Sequence, residues 1–493
     1  MASWRVKTIE QLVAEKEEGP HRLRKILGPF DLTALGLGAI IGMGVFVLTG
    51  VAAARYAGPG VILSFVVAGL ASGLAALVYA EMAAAVPVAG SAYTFSYATL
   101  GELIAWLVGW NLVLEYVVAS GAVAIGWSGY LVSLLQSAGL ALPVTYTASP
   151  FAGGVINLPA LFITALITAL IISGTQHSAT ANKLIVALKV SVLLLFIFLG
   201  VRHVNPANWQ PFLPFGVSGI FHGAAIIFFA FIGFDAVATA AEEVKNPRRD
   251  LPLGIFASLF LATLLYIGVT AVLTGMVKYS LLDTASPMAF ALLSTGLRWG
   301  SALTAVGALA GLSSVMLVNM FGQSRIFFAM SRDGLLPPIF SWVHPRLRTP
   351  VADNILIGAV VAVIAALLPI DIVAELANIG TLTAFMAVSL GVLILRRTRP
   401  DLPRPFKVPA SPWLPLASFG AALYLAANLP PLTWLRFVVW IALGLAVYFA
   451  YGYRHSQLRE KGPSPAILPR PAPARKPIEE KGTGQGPKKR GSG

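Results

Sequence analysis

The stretch Gly36-Leu-Gly-Ala-Ile-Ile-Gly-Met-Gly-Val-Phe-Val-Leu48 is apolar enough for lipid yet poorly made for a helix, because Gly36, Gly38, Gly42 and Gly44 crowd into it. Each glycine in a helix interior costs about 1 kcal/mol relative to alanine, so the four together favour an interruption between Ile40 and Gly44. An interruption bares backbone. At membrane depth unpaired N–H and C=O groups are tolerated only where protein covers them or where they line a polar cavity, so a broken span marks a binding site near the bilayer midplane. The stretch alone also allows a plainer reading, a close helix contact, since Gly38 and Gly42 have small-xxx-small spacing.

Working outward, the 493 residues are 57% hydrophobic and 11% charged, and the apolar residues come in runs of about 20, enough to cross roughly 30 Å of hydrocarbon. The chain reads as an all-α integral membrane protein. Twelve spans are expected, at 30–55, 61–86, 97–137, 157–173, 181–201, 217–241, 253–276, 289–330, 353–368, 372–395, 411–428 and 432–453. Spans three and eight exceed the bilayer and must tilt, bend or project. Residues 1–29 form a charged amphipathic segment, and no cleaved signal peptide is expected there. With that segment inside, 29 of the 35 Lys and Arg fall on the cytoplasmic side. The net charge of +14 is therefore a topology signal and not a nucleic-acid footprint, and both termini are expected to be cytoplasmic in a cell-membrane protein. The Pro-rich basic tail at 454–493 has too little apolar surface to fold and is expected to be disordered. Zero cysteines exclude disulfides and thiolate metal sites, and no metal or organic cofactor is expected.

Span six reads Phe228-Phe-Ala-Phe-Ile-Gly-Phe-Asp-Ala-Val-Ala-Thr239, with a glycine and an acid at its centre. Spans one and six each open a group of five, 30–201 and 217–395, and the two groups cross the membrane in opposite senses. That is an inverted repeat, with 411–453 as two further helices. The half-helix that starts near Gly42 would offer N–H groups and a positive dipole end to a carboxylate. The carbonyls of Ile40, Phe229 and Ile232 would accept from an ammonium. A free L-amino acid carries both groups, so the expected substrate contacts are Ile40, Ile41, Gly42, Met43 and Gly44 with Phe229, Ala230, Phe231 and Ile232.

Gly38-Ala-Ile-Ile-Gly-Met-Gly-Val-Phe46 resembles the first-helix signature of the amino acid-polyamine-organocation superfamily. Three more stretches resemble its cationic amino acid transporter family: Phe231-Ile-Gly-Phe-Asp-Ala-Val-Ala-Thr-Ala-Ala-Glu-Glu-Val-Lys-Asn-Pro247, Gly90-Ser-Ala-Tyr-Thr-Phe-Ser-Tyr97 and Gly109-Trp-Asn-Leu-Val-Leu-Glu-Tyr116. The resemblance implies ten core helices in two inverted repeats plus two more, and amino acid transport by alternating access. The longer vertebrate members carry two extra spans that this chain lacks.

Lys189 stands well inside span five, where proton-coupled members of the superfamily place a lysine and sodium-coupled relatives hold an ion. The resemblance thus implies proton-coupled, sodium-independent uptake, the proton being the coupling ion; snorkelling to the interface is the plainer alternative. Glu115 lies at membrane depth in a motif whose glutamate the family requires. It would pair with Lys189, steady the broken first helix, or sit as a satisfied core carboxylate beside Asn111 and Tyr116. Asp235 reads as structural, bonding to loosened backbone in span six. Glu242 and Glu243 would form an inner gate with Arg325 or Arg332, and Phe231 would cap the bound substrate. Met316, Asn319 and Met320 on span eight are expected to line the side-chain pocket, unless the methionines are ordinary core. An apolar wall there selects against a charged guest, so small neutral L-amino acids such as alanine come first, with arginine and lysine as the alternative.

Rival classes fare worse. The chain has no His-Glu-x-x-His, Gly-x-Ser-x-Gly or phosphate loop, and its six histidines are scattered, which argues against an enzyme. No filter repeat or ring of charge points to a channel. A parallel-repeat transporter would not interrupt helices one and six. An amino acid sensor without flux stays open. Membrane lipids are the expected surroundings, and the sequence leaves any accessory membrane subunit unassigned.

Overall fold

Leucine, valine and phenylalanine cover the outside of this protein, while an ammonium and several carboxylates sit within it. Leu435 is 60% exposed and Phe198 61%, whereas Lys189 and Asp353 are 0% and Glu115 2% exposed. An apolar exterior on this scale around buried ionisable groups is stable only with hydrocarbon as the solvent. This computed structural model describes residues 27–86, 91–174, 179–235, 237, 244–347 and 349–460. Most of the amphipathic segment at 1–29, most of the basic tail, and both Glu242 and Glu243 lie outside the described residues.

Every regular element among the described residues is helical. Seven helical stretches are long and apolar enough to cross a membrane, and five shorter apolar helices accompany them. The first expected span is two pieces, α1 (Pro29–Ile40) and α2 (44–57), the latter with wide turns at Gly44–Leu48 and Ala53–Ala57. Next come α3 (Val61–Ala85), a short α4 (Ser91–Thr99), the long α5 (Glu102–Ser137), α6 (Leu158–Ile172) and α7 (Ala179–Gly200). The order then recurs. It runs α8 (Gly216–Ile227), α9 (Pro247–Met276), a short α10 (Pro287–Ser294), the long α11 (Arg298–Arg332), α12 (Val351–Leu367) and α13 (Ile370–Thr398). The chain ends with α14 (Trp413–Ala427) and α15 (Pro431–Val447).

Two expected spans need correction. The spans placed at 97–137 and 289–330 are each a short helix followed by a long one, and the chain turns between them at Gly101 (φ +90°) and Gly296 (φ +82°). Apolar periodicity runs through both junctions, so hydropathy alone joined them; the positive φ that only glycine adopts cheaply is what separates them. The ordered chain also extends past Tyr453, where the tail was expected to loosen. Ser456 donates to the buried carboxylate of Glu102 (2.5 Å), and the Gln457 N–H donates to Asp333 O (3.1 Å).

The long helices α5 and α11 form the spine. Gly109 faces Met330, Tyr116 faces Gly322 and Gly126 faces Leu312, so residue numbers rise along one as they fall along the other, and the pair is antiparallel. Trp127 Nε1 pins the far end to Ser313 Oγ at 3.0 Å. Local caps agree with the sequence: Asn157 accepts from the Ala160 N–H at 3.2 Å and starts α6, as an N-cap asparagine does.

At the end of α3 a buried ion cluster ties down the segment after α13. Glu81 accepts from Arg396 Nε (2.8 Å) and from the backbone N–H of Val408 (2.6 Å), with Arg404 Nε 3.7 Å away. Breaking a buried pair from one side costs about 3–5 kcal/mol, because the partner charge is left behind. Glu81→Gln is therefore expected to lower the thermal unfolding midpoint in detergent by several degrees. A midpoint within about 1 °C of the parent would show the cluster to be energetically idle.

Candidate functional site

The first span breaks where its glycines crowd. Ile41 leaves the helix (φ −73°, ψ 101°) while its N–H still reaches Leu37 O at 2.9 Å, and coil resumes at Met43. Between the two pieces, the N–H groups of Gly42, Met43, Gly44 and Val45 find no backbone acceptor among the described residues. These are the orphan donors of a helix start, and they carry its positive dipole end.

The second break follows α8. That helix tightens through Phe228–Phe231, Ile232 becomes extended (φ −60°, ψ 135°), and Gly233 takes φ +112°. The two breaks touch. A Cβ on Gly44 would fall onto the Cα of Ala230, and one on Gly233 would press on the backbone of Ala39. Two glycines thus let the interrupted chains cross in backbone contact.

Carbonyls left over at the breaks are met by buried side chains from four other helices. Lys189 Nζ (α7) donates to Gly38 O at 2.7 Å. The Tyr266 hydroxyl (α9) lies 2.9 Å from Ile40 O and 3.1 Å from Ala230 O. Tyr130 (α5) donates to Phe46 O at 2.6 Å, and Asn378 Nδ2 (α13) donates to Ala225 O and Ile226 O at 2.8 and 2.9 Å. A buried orphan carbonyl costs roughly 1–3 kcal/mol, so these donors help make the interruptions affordable. Sequence reasoning singled out Lys189 and missed Tyr130, Tyr266 and Asn378. The signal that could have found them is a lone hydrogen-bonding side chain in an otherwise apolar span.

Among the expected contacts, Ile40, Ile41, Gly42, Met43, Gly44, Phe229 and Ala230 are buried at or beside the crossing, and Ile232 is half-buried at the second break. The ring of Phe231 is packed between the rings of Phe65 (6.2 Å) and Tyr266 (5.6 Å). In this conformation it is a core side chain between α3 and α9. Met316 and Met320 are buried on α11 and Asn319 is half-buried. The α11 residue that faces Gly42 is Val315, which the attention to methionines passed over.

Glu115 and Lys189 are not brought together. Among the described residues no carboxylate forms an ion pair with Lys189. Glu115 lies within electrostatic reach of Asp235 and is approached by the hydroxyl of Thr381. Asp235 accepts from Ser91 Oγ at 3.3 Å. Arg325, one of the expected inner-gate partners, stacks its guanidinium over the Phe321 ring at 4.3 Å. At the far end of α2, Arg55 bridges Asp283 and Asp371, both at 2.8 Å.

A lipid-facing helical shell around two crossing, interrupted helices defines a membrane permease. The chain belongs to the amino acid permease family, whose description as "Amino acid permease" matches residues 27–452. It is 48% identical to the branched-chain amino acid permease BcaP of Bacillus subtilis and 47% identical to the methylthioribose transporter of the same organism. Each match covers 93% of this chain and 99% of the relative. The human cationic amino acid transporter 4 is 33% identical over 89% of both chains.

Proposed function

We propose that this permease carries neutral L-amino acids by alternating access, driven by protons and independent of sodium. The observation that carries the reading is the crossing of the two breaks, where Gly44 lies against Ala230 and the N–H groups of Gly42 to Val45 find no backbone acceptor among the described residues; the carbonyls of Ile40, Phe229 and Ile232 are taken as the facing acceptors. A carboxylate suits the first and an ammonium the second. In this reading the contacts are Ile40 to Gly44, Phe229 to Ile232, Met316, Asn319 and Met320, with Val315 added. Lys189 and Glu115 serve proton coupling, and Phe231 with Glu242 and Glu243 gates the site.

Support for inverted repeats comes from element lengths. After an interrupted helix and a long one, α4 to α7 have 9, 36, 15 and 22 residues, and α10 to α13 have 8, 35, 17 and 29. We take 30–201 and 217–395 as the two repeats and 411–453 as an addition, with both termini cytoplasmic.

The apolar wall of Val315, Met316 and Met320 supports an uncharged side chain over arginine or lysine. The likeness to BcaP supports aliphatic side chains from alanine up to the branched-chain size. In proteoliposomes, counterflow of labelled L-alanine is expected to be inhibited by excess L-alanine and L-isoleucine and left largely unaffected by L-arginine. Stronger inhibition by arginine would overturn the assignment. Methylthioribose is a second reading, favoured by the 47% relative. It has neither ammonium nor carboxylate, and it would displace the first reading if it inhibited where no amino acid did.

A further inference from the structure

We propose that Tyr266 is a positioning residue for recognition of the substrate's amino group, a role that rests on the amino acid reading above. Its hydroxyl is buried and has one proton, yet it lies within hydrogen-bond distance of two carbonyls, one from each interrupted helix: Ile40 O at 2.9 Å and Ala230 O at 3.1 Å. The Tyr266 hydroxyl thus joins the two breaks to each other. Lys189 reaches only the first, and Asn378 only the turn before the second.

The carbonyl it holds is a functional one. Ile40 O is the last carbonyl of α1, at the break itself. With two lone pairs it can accept from Tyr266 on one side and from a ligand on the other. The Ile40–Ile41 peptide is held on its N–H side by the bond to Leu37 O, but the chain turns extended at Ile41, so among the described residues no later backbone N–H reaches Ile40 O and Tyr266 is the donor on that side. The tyrosine ring is in turn fixed by rings on two sides, Phe65 at 5.4 Å and Phe231 at 5.6 Å. A hydroxyl on a rigid ring thus completes the hold on Ile40 O and ties it to the turn at Ala230, so both sets of acceptors meet an ammonium in one geometry. Preorganised acceptors recognise a ligand without the cost of ordering them on binding.

Tyr266→Phe removes the hydroxyl and keeps the ring. The probes are L-valine and isovalerate, which is valine without its amino group, in competition binding to the full-length protein in nanodiscs. The parent is expected to prefer L-valine. In Tyr266→Phe that preference is expected to shrink about tenfold, the effect of one misaligned charge-assisted hydrogen bond, through weaker valine binding with isovalerate unchanged. Phe65→Leu removes one of the two rings that fix Tyr266 but keeps the hydroxyl, and is expected to shrink the preference by less than Tyr266→Phe does. A purely structural tyrosine would weaken both probes equally, and that result, or an unchanged preference in Tyr266→Phe, overturns the proposal. If Tyr266→Phe is not recovered folded, Tyr266→Gln, which keeps a donor, decides. Discrimination in it supports the role, while its absence or a second failure to fold overturns it. A parent protein that binds neither L-valine nor L-alanine instead defeats the amino acid reading itself.

Discussion

Gly44→Ala is expected to abolish uptake of neutral L-amino acids. Only one methyl group is added, yet it would land on the Cα and N of Ala230. The obstacle is backbone, which cannot rotate away as a side chain can, so the two interrupted helices must separate. Separation moves the donors at Gly42 to Val45 away from the carbonyls of span six, and a misplacement of about 1 Å costs on the order of a hundredfold where geometry does the work. Gly233→Ala meets the same obstacle at Ala39 and adds strain at φ +112°. A control at Gly420, where an added Cβ meets nothing within 4 Å, is expected to transport normally. Uptake by Gly44→Ala within about twofold of the parent would mean that the crossing is not held in backbone contact during transport, since larger losses are expected from such displacement.

Lys189→Ala is expected to abolish accumulation driven by an imposed inward proton gradient. The ammonium group is fully buried, 2.7 Å from the carbonyl of Gly38 in the last turns of α1, and no carboxylate pairs with it among the described residues. A lone cation held there by backbone is costly in a low-dielectric interior. Gain or loss of its proton therefore changes how firmly α1 is held to α7, and in the proposed proton-coupled reading this links the coupling ion to the helix that breaks at the site. Lys189→Arg keeps the charge but cannot release it, so it is expected to fail in gradient-driven uptake as well. Both variants are to be compared in proteoliposomes with and without sodium. Unchanged gradient-driven accumulation in Lys189→Ala would remove the lysine from coupling.

The sequence made the site partly legible because its first signal is local. Four glycines in a lipid-like run weaken a helix wherever the chain goes, so a break between Ile40 and Gly44 was one of the two readings the stretch offered, beside a close helix contact. The second break was legible for the same reason at Gly233. Lys189 stood out because a cation inside an apolar run is rare. Tyr266 and Asn378 did not stand out, since a tyrosine or an asparagine in a span has many ordinary uses. Their meaning comes from carbonyls 36 to 226 positions away in the chain. Hydropathy also ran through Gly101 and Gly296, because an apolar window records composition and not the sign of φ.

What the chain determined by itself is its solvent and the weak points of its helices: long apolar runs fit only hydrocarbon, and clustered glycine cannot sustain coil there. Tertiary structure alone decided which weak points meet. It placed Gly44 on Ala230 and Gly233 on Ala39, chose α7, α9, α5 and α13 to supply the missing donors, and left Glu115 and Lys189 without an ion pair between them. Those choices depend on the packing of helices far apart in sequence, where the free energy of a bare carbonyl is settled by whichever buried donor the fold delivers to it.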